Sequence, residues 1–411
     1  MFVRIGNTPR DYDWGSRTAI AELLGSVPSG APEAELWLGA HPGSPSAILD
    51  SAETDGARDL ATWIDREPRL ALGETAAAGE KPHLPYLMKV LAADRPLSLQ
   101  AHPSSGQAGE GFARENARGL PLDSPERNYK DAFHKPELIY ALSETFDALS
   151  GYRDPAVSAR VLDALAEGSD PEGLRLVGLL TGRLRHAPAG EALRDSTAWL
   201  LGADPDVRSL VEVVTGAAAR RGTAGDPEVA SAADTVAMLA QAFPGDPGIV
   251  LALLLNRIAL RRGEVLYLPA GNIHAYLHGL GIELMAASDN VLRGGLTSKR
   301  VDVPELLAVL DFSPFTAKPL EPESPAPGLE TYRPDVPDFA LDVVQLDGAV
   351  SSVTVRLPGA ATAVCTEGSL EFRGASHAVR LSRGEAMFVT PDERELVISG
   401  SGTVFIAVPN R

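Results

Sequence analysis

The sequence predicts a mainly β protein with a helical insertion, organised as two β-barrels plus an α-helical domain. Three observations predict it. Short strand-like runs separated by Gly and Pro turns fill residues 1–145 and again 329–411. Between about 154 and 245 the apolar spacing switches to a helical period. And Arg262-Gly263-Glu264-Val265-Leu266-Tyr267-Leu268 is echoed by Arg383-Gly384-Glu385-Ala386-Met387-Phe388-Val389, each copy soon followed by a proline, Pro269 or Pro391. A repeat of this kind indicates a duplicated β unit.

Taken in order, the chain begins with strands, turns and a few helices. Trp14 and Trp37, each near a glycine, are expected in the core. Residues 84–91 read as a buried strand and Asp94-Arg95-Pro96 as a turn. The next strand is expected over 97–102. Its alternate residues Ser98, Gln100 and His102 share one face, and Leu97, Leu99 and Ala101 take the other. A half-buried strand with a wet polar face would look like this, and so would a row of ligands lining a barrel. Farther on, Pro136 keeps Lys135 extended, so Lys135 and Glu137 share a face while His134 points the other way. That pair is either a surface ion pair or a carboxylate ligand beside a cation.

The middle segment is helical by period, with Asp-Pro at 154–155, 170–171, 204–205 and 226–227 suiting helix starts. His186 lies among arginines and reads as solvated. A further helix is expected over 249–260 and another over 303–310, then a Pro-rich linker over 319–327. Strands are expected over 340–344, 350–357, 361–365, 378–381, 386–389, 395–398 and 403–408. Cys365, the one cysteine, reads as a buried small hydrophobe, and His377 as exposed.

The 411 residues have room for two or three domains. A net charge of −18 argues against nucleic acid and anionic membranes as partners, and any phosphate site must supply its own local cations. A single cysteine rules out an internal disulfide and a Cys-based zinc site. Met1-Phe2-Val3-Arg4-Ile5 lacks the apolar core of a signal peptide, and the longest apolar run, 249–255, is too short to span a bilayer. The expected compartment is the cytoplasm. The sequence fixes no oligomeric state.

The chemistry concentrates in 264–299. Val265 to Leu268 reads as a strand, Pro269-Ala270-Gly271-Asn272 as a turn, and Ile273-His274-Ala275-Tyr276 as the next strand. Gly263, Pro269, Gly271 and His274 stand at the spacing of the second motif of the cupin superfamily, which the stretch resembles. The resemblance implies that His274 binds a metal and that the two β units are cupin-type jelly-roll β-barrels. The second copy has Glu395 or Leu396 where the histidine would be, so it is expected to have lost its metal. Gln100, His102, Glu137 and His274 together make a mixed nitrogen and oxygen shell. Zinc takes such ligands, and iron, manganese or cobalt could also fit.

Further blocks point to one family. Leu97-Ser98-Leu99-Gln100-Ala101-His102-Pro103, His134-Lys135-Pro136-Glu137, His274-Ala275-Tyr276 and Ser288-Asp289-Asn290-Val291-Leu292-Arg293-Gly294-Gly295-Leu296-Thr297-Ser298-Lys299 resemble signature blocks of the type I mannose-6-phosphate isomerases. So do Glu35-Leu36-Trp37-Leu38-Gly39-Ala40-His41-Pro42 and Pro244-Gly245-Asp246-Pro247-Gly248. The resemblance implies one Zn2+ per chain on Gln100, His102, Glu137 and His274, with Arg293 as the catalytic arginine. It implies interconversion of mannose 6-phosphate and fructose 6-phosphate. Such a reaction moves a proton between neighbouring carbons through an enediolate, so it also needs a general base. Glu283 is the first candidate, with Tyr276 and Asp289 as orienting or relay groups. Ser98, Lys135 and Lys299 are expected to bind the sugar phosphate, and Lys89 and Arg300 are further cations at hand. The expected division is a discontinuous metal-binding domain (1–150 and 246–315), a helical insertion (151–245) and a degenerate C-terminal cupin-like β domain (320–411). Two rival readings make different demands. A metal cupin oxygenase would recruit His278 or His134 to a three-histidine shell, and a non-catalytic sugar-phosphate-binding cupin would lack the ligands or Arg293.

Overall fold

The computed structural model describes residues 1–77, 82–221, 226–375 and 377–410. Among the described residues the strands form two antiparallel sheets, of ten and nine strands, accompanied by a block of helices. No helix among them is long and apolar enough to cross a membrane.

The nine-stranded sheet is built around His274–Ala286, which pairs with Tyr86–Ala93, Gln100–Ala101, Glu137–Ala141 and Thr145–Tyr152. One strand can serve so many partners because it bends. The register slips between Tyr276 and His278, and Gly279 takes a φ of +135°. A side chain there would meet the Phe146 ring at 2.6 Å, so the bend requires glycine. The Tyr86–Ala93 strand is buried throughout, Lys89 in its middle included.

The ten-stranded sheet is mostly C-terminal, and the echoed motif recurs in it as geometry. Gly263 and Gly384 adopt φ of +91° and +88°. After each, a glutamate folds back onto the residue three before it. Glu264 Oε2 accepts from the Arg261 N–H at 2.8 Å, and Glu385 Oε2 accepts from the Ser382 N–H at 2.7 Å. The two Arg-Gly-Glu runs therefore make the same turn, into Val265–Leu268 and Ala386–Val389.

Between the sheets' segments, Pro155–Leu165, Pro171–Arg185, Ala189–Gly202, Pro205–Arg221 and Pro227–Ala242 are helices. All four Asp-Pro pairs start helices. Asp154, Asp170, Asp204 and Asp226 each accept a backbone N–H of the first turn, at 2.7–2.9 Å, and the proline follows where no N–H is needed. These helices share a core with Leu149, Tyr152 and Ile249 to Leu255 from the sheet side. His186 caps a helix at the surface, its Nδ1 on the Gly182 carbonyl.

Several expectations need correction. Over 249–260 the chain makes only a short helix, Gly248–Leu251, and a 3-10 turn, then the strand Leu255–Arg261. An evenly apolar run carries no period, and Thr145–Tyr152 offers an open edge that converts its second half to strand. Only Gln100–Ala101 of 97–102 is regular strand; Leu97 and Leu99 are extended but bond to Tyr276 and Gly295. The two last expected strands are one, Glu395–Val408, bent where Gly400 and Gly402 take positive φ. The Pro-rich linker contains an edge strand, Glu323–Ala326. At the N-terminus, Phe2–Gly6 pairs with Ala386–Val389 and Ala47–Ile48 follows it into the ten-stranded sheet.

Cys365 is fully buried, as expected, and His377 is exposed. Asp342 is the costly residue of this sheet. It is 3% exposed, and its Oδ1 accepts from the Thr331 hydroxyl at 2.5 Å. Burial pushes its carboxyl up to about 6. An acid raised in the folded state favours folding below its unfolded value and loses that contribution as pH rises through about 6. Asp342→Asn keeps an acceptor for Thr331 and removes the charge. Its urea-unfolding stability at pH 7.5 should exceed wild type by roughly 2–3 kcal/mol, the gap closing toward pH 4.

Candidate active site and metal centre

His102, Glu137 and His274 come together although they are far apart along the chain. His102 follows the short strand Gln100–Ala101, Glu137 opens Glu137–Ala141, and His274 opens the central strand. Their ligand atoms all lie within 4.8 Å of one another. Glu137 bridges the imidazoles, with Oε1 3.3 Å from His102 Nε2 and Oε2 3.3 Å from His274 Nε2. Both Nδ1 atoms are engaged behind, His102 on the Asn290 carbonyl at 2.7 Å and His274 on the Asn272 carbonyl at 3.0 Å. Each Nδ1 therefore carries the proton, and each Nε2 presents a lone pair to the centre.

These residues fit a metal. His102 Nε2, His274 Nε2 and Glu137 Oε2 are buried and have no hydrogen-bond partner, an arrangement costly without a cation between them. Burial pushes His102 down to about 4, so it stays neutral and able to ligate. Burial alone would raise Glu137, but Lys135, at 3.0 Å, holds it well below the usual carboxylate range. Gln100 is the ladder partner of both His274 and Arg293, and it lines a cavity that Glu137 also borders.

That cavity has a volume of about 1010 Å³. Glu283 and Lys89 face each other across the ladder and pair at 2.8 Å, with Glu35 3.7 Å from the same ammonium. Burial raises the Glu283 carboxyl; Lys89 opposes this, while Glu137 and Glu35 add to it. Burial also works against the Lys89 charge, but Glu283 and Glu35 outweigh it and raise the ammonium. Tyr276 is buried two residues past His274, its hydroxyl without a hydrogen-bond partner, and burial beside Glu283 and Glu137 pushes the phenol well up. Arg293 lines the cavity and donates to the Ser98 hydroxyl at 2.7 Å. Burial lowers its guanidinium from the usual value, and its charge in turn lowers Lys299 at the open side. Lys135, Ser98 and Lys299 all line the cavity. Arg300 also lines the cavity, its guanidinium donating to the Glu126 carbonyl and to Asp302.

Other placements depart from the sequence reading. Trp37 is not core and Trp14 only packs half-buried against the core; both line the cavity, and Lys89 lies over the Trp37 ring at 5.1 Å from its centroid. Trp37 Nε1 donates to Glu35 Oε2 at 2.7 Å, a polar demand that keeps the indole at a wet boundary. Asp289 lines the cavity, its Oδ1 3.3 Å from His41 Nε2. His134 pairs with Asp338 at 2.7 Å and His278 is exposed, so neither supplies the third imidazole of an oxygenase shell. Sequence reasoning missed Glu35 and His41, although both stand in the block that carries the resemblance. It also missed the carbonyls of Asn290 and Asn272, because a backbone acceptor has no residue-type signature.

A family model described as "Phosphomannose isomerase type I, catalytic domain" matches residues 2–155. Mannose-6-phosphate isomerase of Escherichia coli (strain K12) is 36% identical over 399 residues, covering 96% of each chain. The Homo sapiens protein of that name is 30% identical over 404 residues, covering 93% of this chain and 92% of its own. A crystal structure of zinc-bound mannose 6-phosphate isomerase superposes with a TM-score of 0.87 at 34% identity, covering all of both chains. With this likeness spanning nearly the whole length, the chain belongs to the type I mannose-6-phosphate isomerase family.

Proposed function

We propose that this protein is a zinc-dependent aldose–ketose isomerase that interconverts mannose 6-phosphate and fructose 6-phosphate. The observation that carries the reading is the buried, partnerless donor set of His102, Glu137 and His274, whose Glu137 borders a cavity that also holds Arg293 and the Lys89–Glu283 pair. Gln100 is the fourth ligand in this reading. When bound, zinc supplies a Lewis acid for the substrate carbonyl. Glu283 moves the proton between C1 and C2. Its raised carboxyl suits a group that must both take and return a proton. Lys89 beside it steadies the carboxylate when it is ionised. Arg293, held by Ser98, stabilises the enediolate charge. Tyr276 and Asp289 orient the sugar, and Lys299 and Lys135 with Ser98 receive the phosphate.

The same reading treats both sheets as cupin-type jelly rolls. The repeated Arg-Gly-Glu turn supports it, with a metal centre kept in only one copy. The helices of 151–245 form an insertion, and residues 320–411 with the first strand a degenerate second barrel. A net charge of −18 argues against nucleic-acid partners. The deciding assay couples mannose 6-phosphate turnover to a fructose 6-phosphate detector. Activity should vanish after chelation and return with zinc. No turnover in zinc-restored protein would overturn the isomerase reading.

A further inference from the structure

We propose that Glu35, aimed by Trp37, is the counter-ion that keeps Lys89 paired while Glu283 carries the substrate proton. The inference deepens the isomerase reading and rests on it. In that reading Glu283 takes a carbon-bound proton, the bonding pair stays on the substrate, and the proton then returns to the neighbouring carbon. For part of each turnover Glu283 is therefore a neutral acid. Without a second anion, Lys89 would then be a buried ammonium with no partner, a costly state that opposes the proton transfer.

The cavity wall around Lys89 supplies that anion. Glu35, Lys89 and Glu283 are all buried, and all three line the cavity. They stand on three neighbouring strands, Glu35–Leu38, Tyr86–Ala93 and His274–Ala286. The ladders set Lys89 between Trp37 on one side and Glu283 on the other. Lys89 Nζ lies 2.8 Å from Glu283 Oε2 and 3.7 Å from Glu35 Oε1. Among the described residues it pairs with these two carboxylates and no other. Lys135, a second ammonium on this wall, is taken by Glu137 at 3.0 Å. Two carboxylates therefore share one ammonium. One negative charge is in excess while Glu283 is ionised, and the three groups balance once it is protonated.

Trp37 decides where Glu35 points. The two are alternate residues of one strand and share a face. Trp37 Nε1 donates to Glu35 Oε2 at 2.7 Å, which occupies that oxygen and leaves Oε1 to Lys89. Lys89 in turn lies over the Trp37 ring, 5.1 Å from its centroid, so the indole steadies both members of the pair. Glu35 is thus a positioning residue. It acts on the proton through Lys89 and touches no reacting atom.

The test uses the full chain, first chelated and then zinc-loaded. In chelated protein, urea unfolding compares wild type, Glu35→Gln, Glu283→Gln and the double variant. Each single variant leaves Lys89 one carboxylate, so its midpoint should fall little. The double variant leaves none, and its midpoint should fall by more than the two single shifts added. In zinc-loaded Glu35→Gln with mannose 6-phosphate, kcat should fall at least about tenfold, part of the about 10²–10⁴-fold worth of the base itself. Solvent hydrogen exchange at C2 should fall with it, while KM and zinc content stay at their wild-type values. Glu35→Asp, which keeps the charge, should recover part of kcat. Should Glu35→Gln fail to fold, Trp37→Phe, which removes the N–H that aims Glu35, must lower kcat without raising KM. Additive midpoints, a wild-type kcat in Glu35→Gln, or a loss confined to KM would overturn the proposal. Zinc-loaded wild type without isomerase activity is a different failure, that of the isomerase reading, and leaves the coupling in chelated protein untouched.

Discussion

Glu137→Gln is expected to strip the protein of zinc and of nearly all isomerase activity. The carboxylate bridges both imidazoles at 3.3 Å and is the one anionic ligand of the centre. An amide of the same shape cannot supply that charge. Outer-shell changes at metal sites already cost about 10–100-fold in affinity or activity, so a direct ligand should cost more. A second effect needs no metal. Lys135 loses the partner 3.0 Å away while staying 8% exposed. Breaking a buried pair from one side costs up to roughly 3–5 kcal/mol. Elemental analysis should find far less than one zinc per chain, and the chelated variant should unfold at lower urea than chelated wild type. A variant that retained full zinc would remove Glu137 from the metal shell.

Glu283→Gln is expected to leave zinc in place and to slow turnover by about 10²–10⁴-fold, the usual worth of a positioned acid–base group. Hydrogen exchange between solvent and C2 of the substrate should fall by the same factor. Glu283 touches Lys89, not the ligand set, and Glu35 at 3.7 Å remains to hold that ammonium. The fold should therefore survive the change. Near-normal turnover and exchange would put the base elsewhere in the cavity.

How much of this was legible in sequence varies with the residue. The candidate metal ligands were readable because strand parity and turn residues constrain direction locally. Alternation put Gln100 and His102 on one face, and Pro269 to Gly271 placed His274 just past a turn. The Asp-Pro helix starts were readable for the same reason, since a cap is an interaction between near neighbours. Trp37 was misread because an aromatic in a strand block signals burial, whereas its place follows from Glu35 and Lys89, the latter on another strand. The run 249–260 was misread because uniform apolarity does not choose between helix and strand. A free edge on Thr145–Tyr152 made that choice.

By itself the sequence determined the family, the duplicated turn, the helical block and the residue types able to hold a divalent cation. These are properties of spacing, which chain geometry converts into direction over a few residues. Only the tertiary structure decided which groups meet. It turned the two imidazoles about Glu137 through carbonyls at Asn290 and Asn272, paired Glu283 with Lys89 across a ladder, and set His41 against Asp289. Apart from Asn272, which is a near neighbour of His274, those contacts join segments far apart along the chain. The packing that closes them also removes water, so that a lone pair, a proton or a charge there must find its partner within the protein.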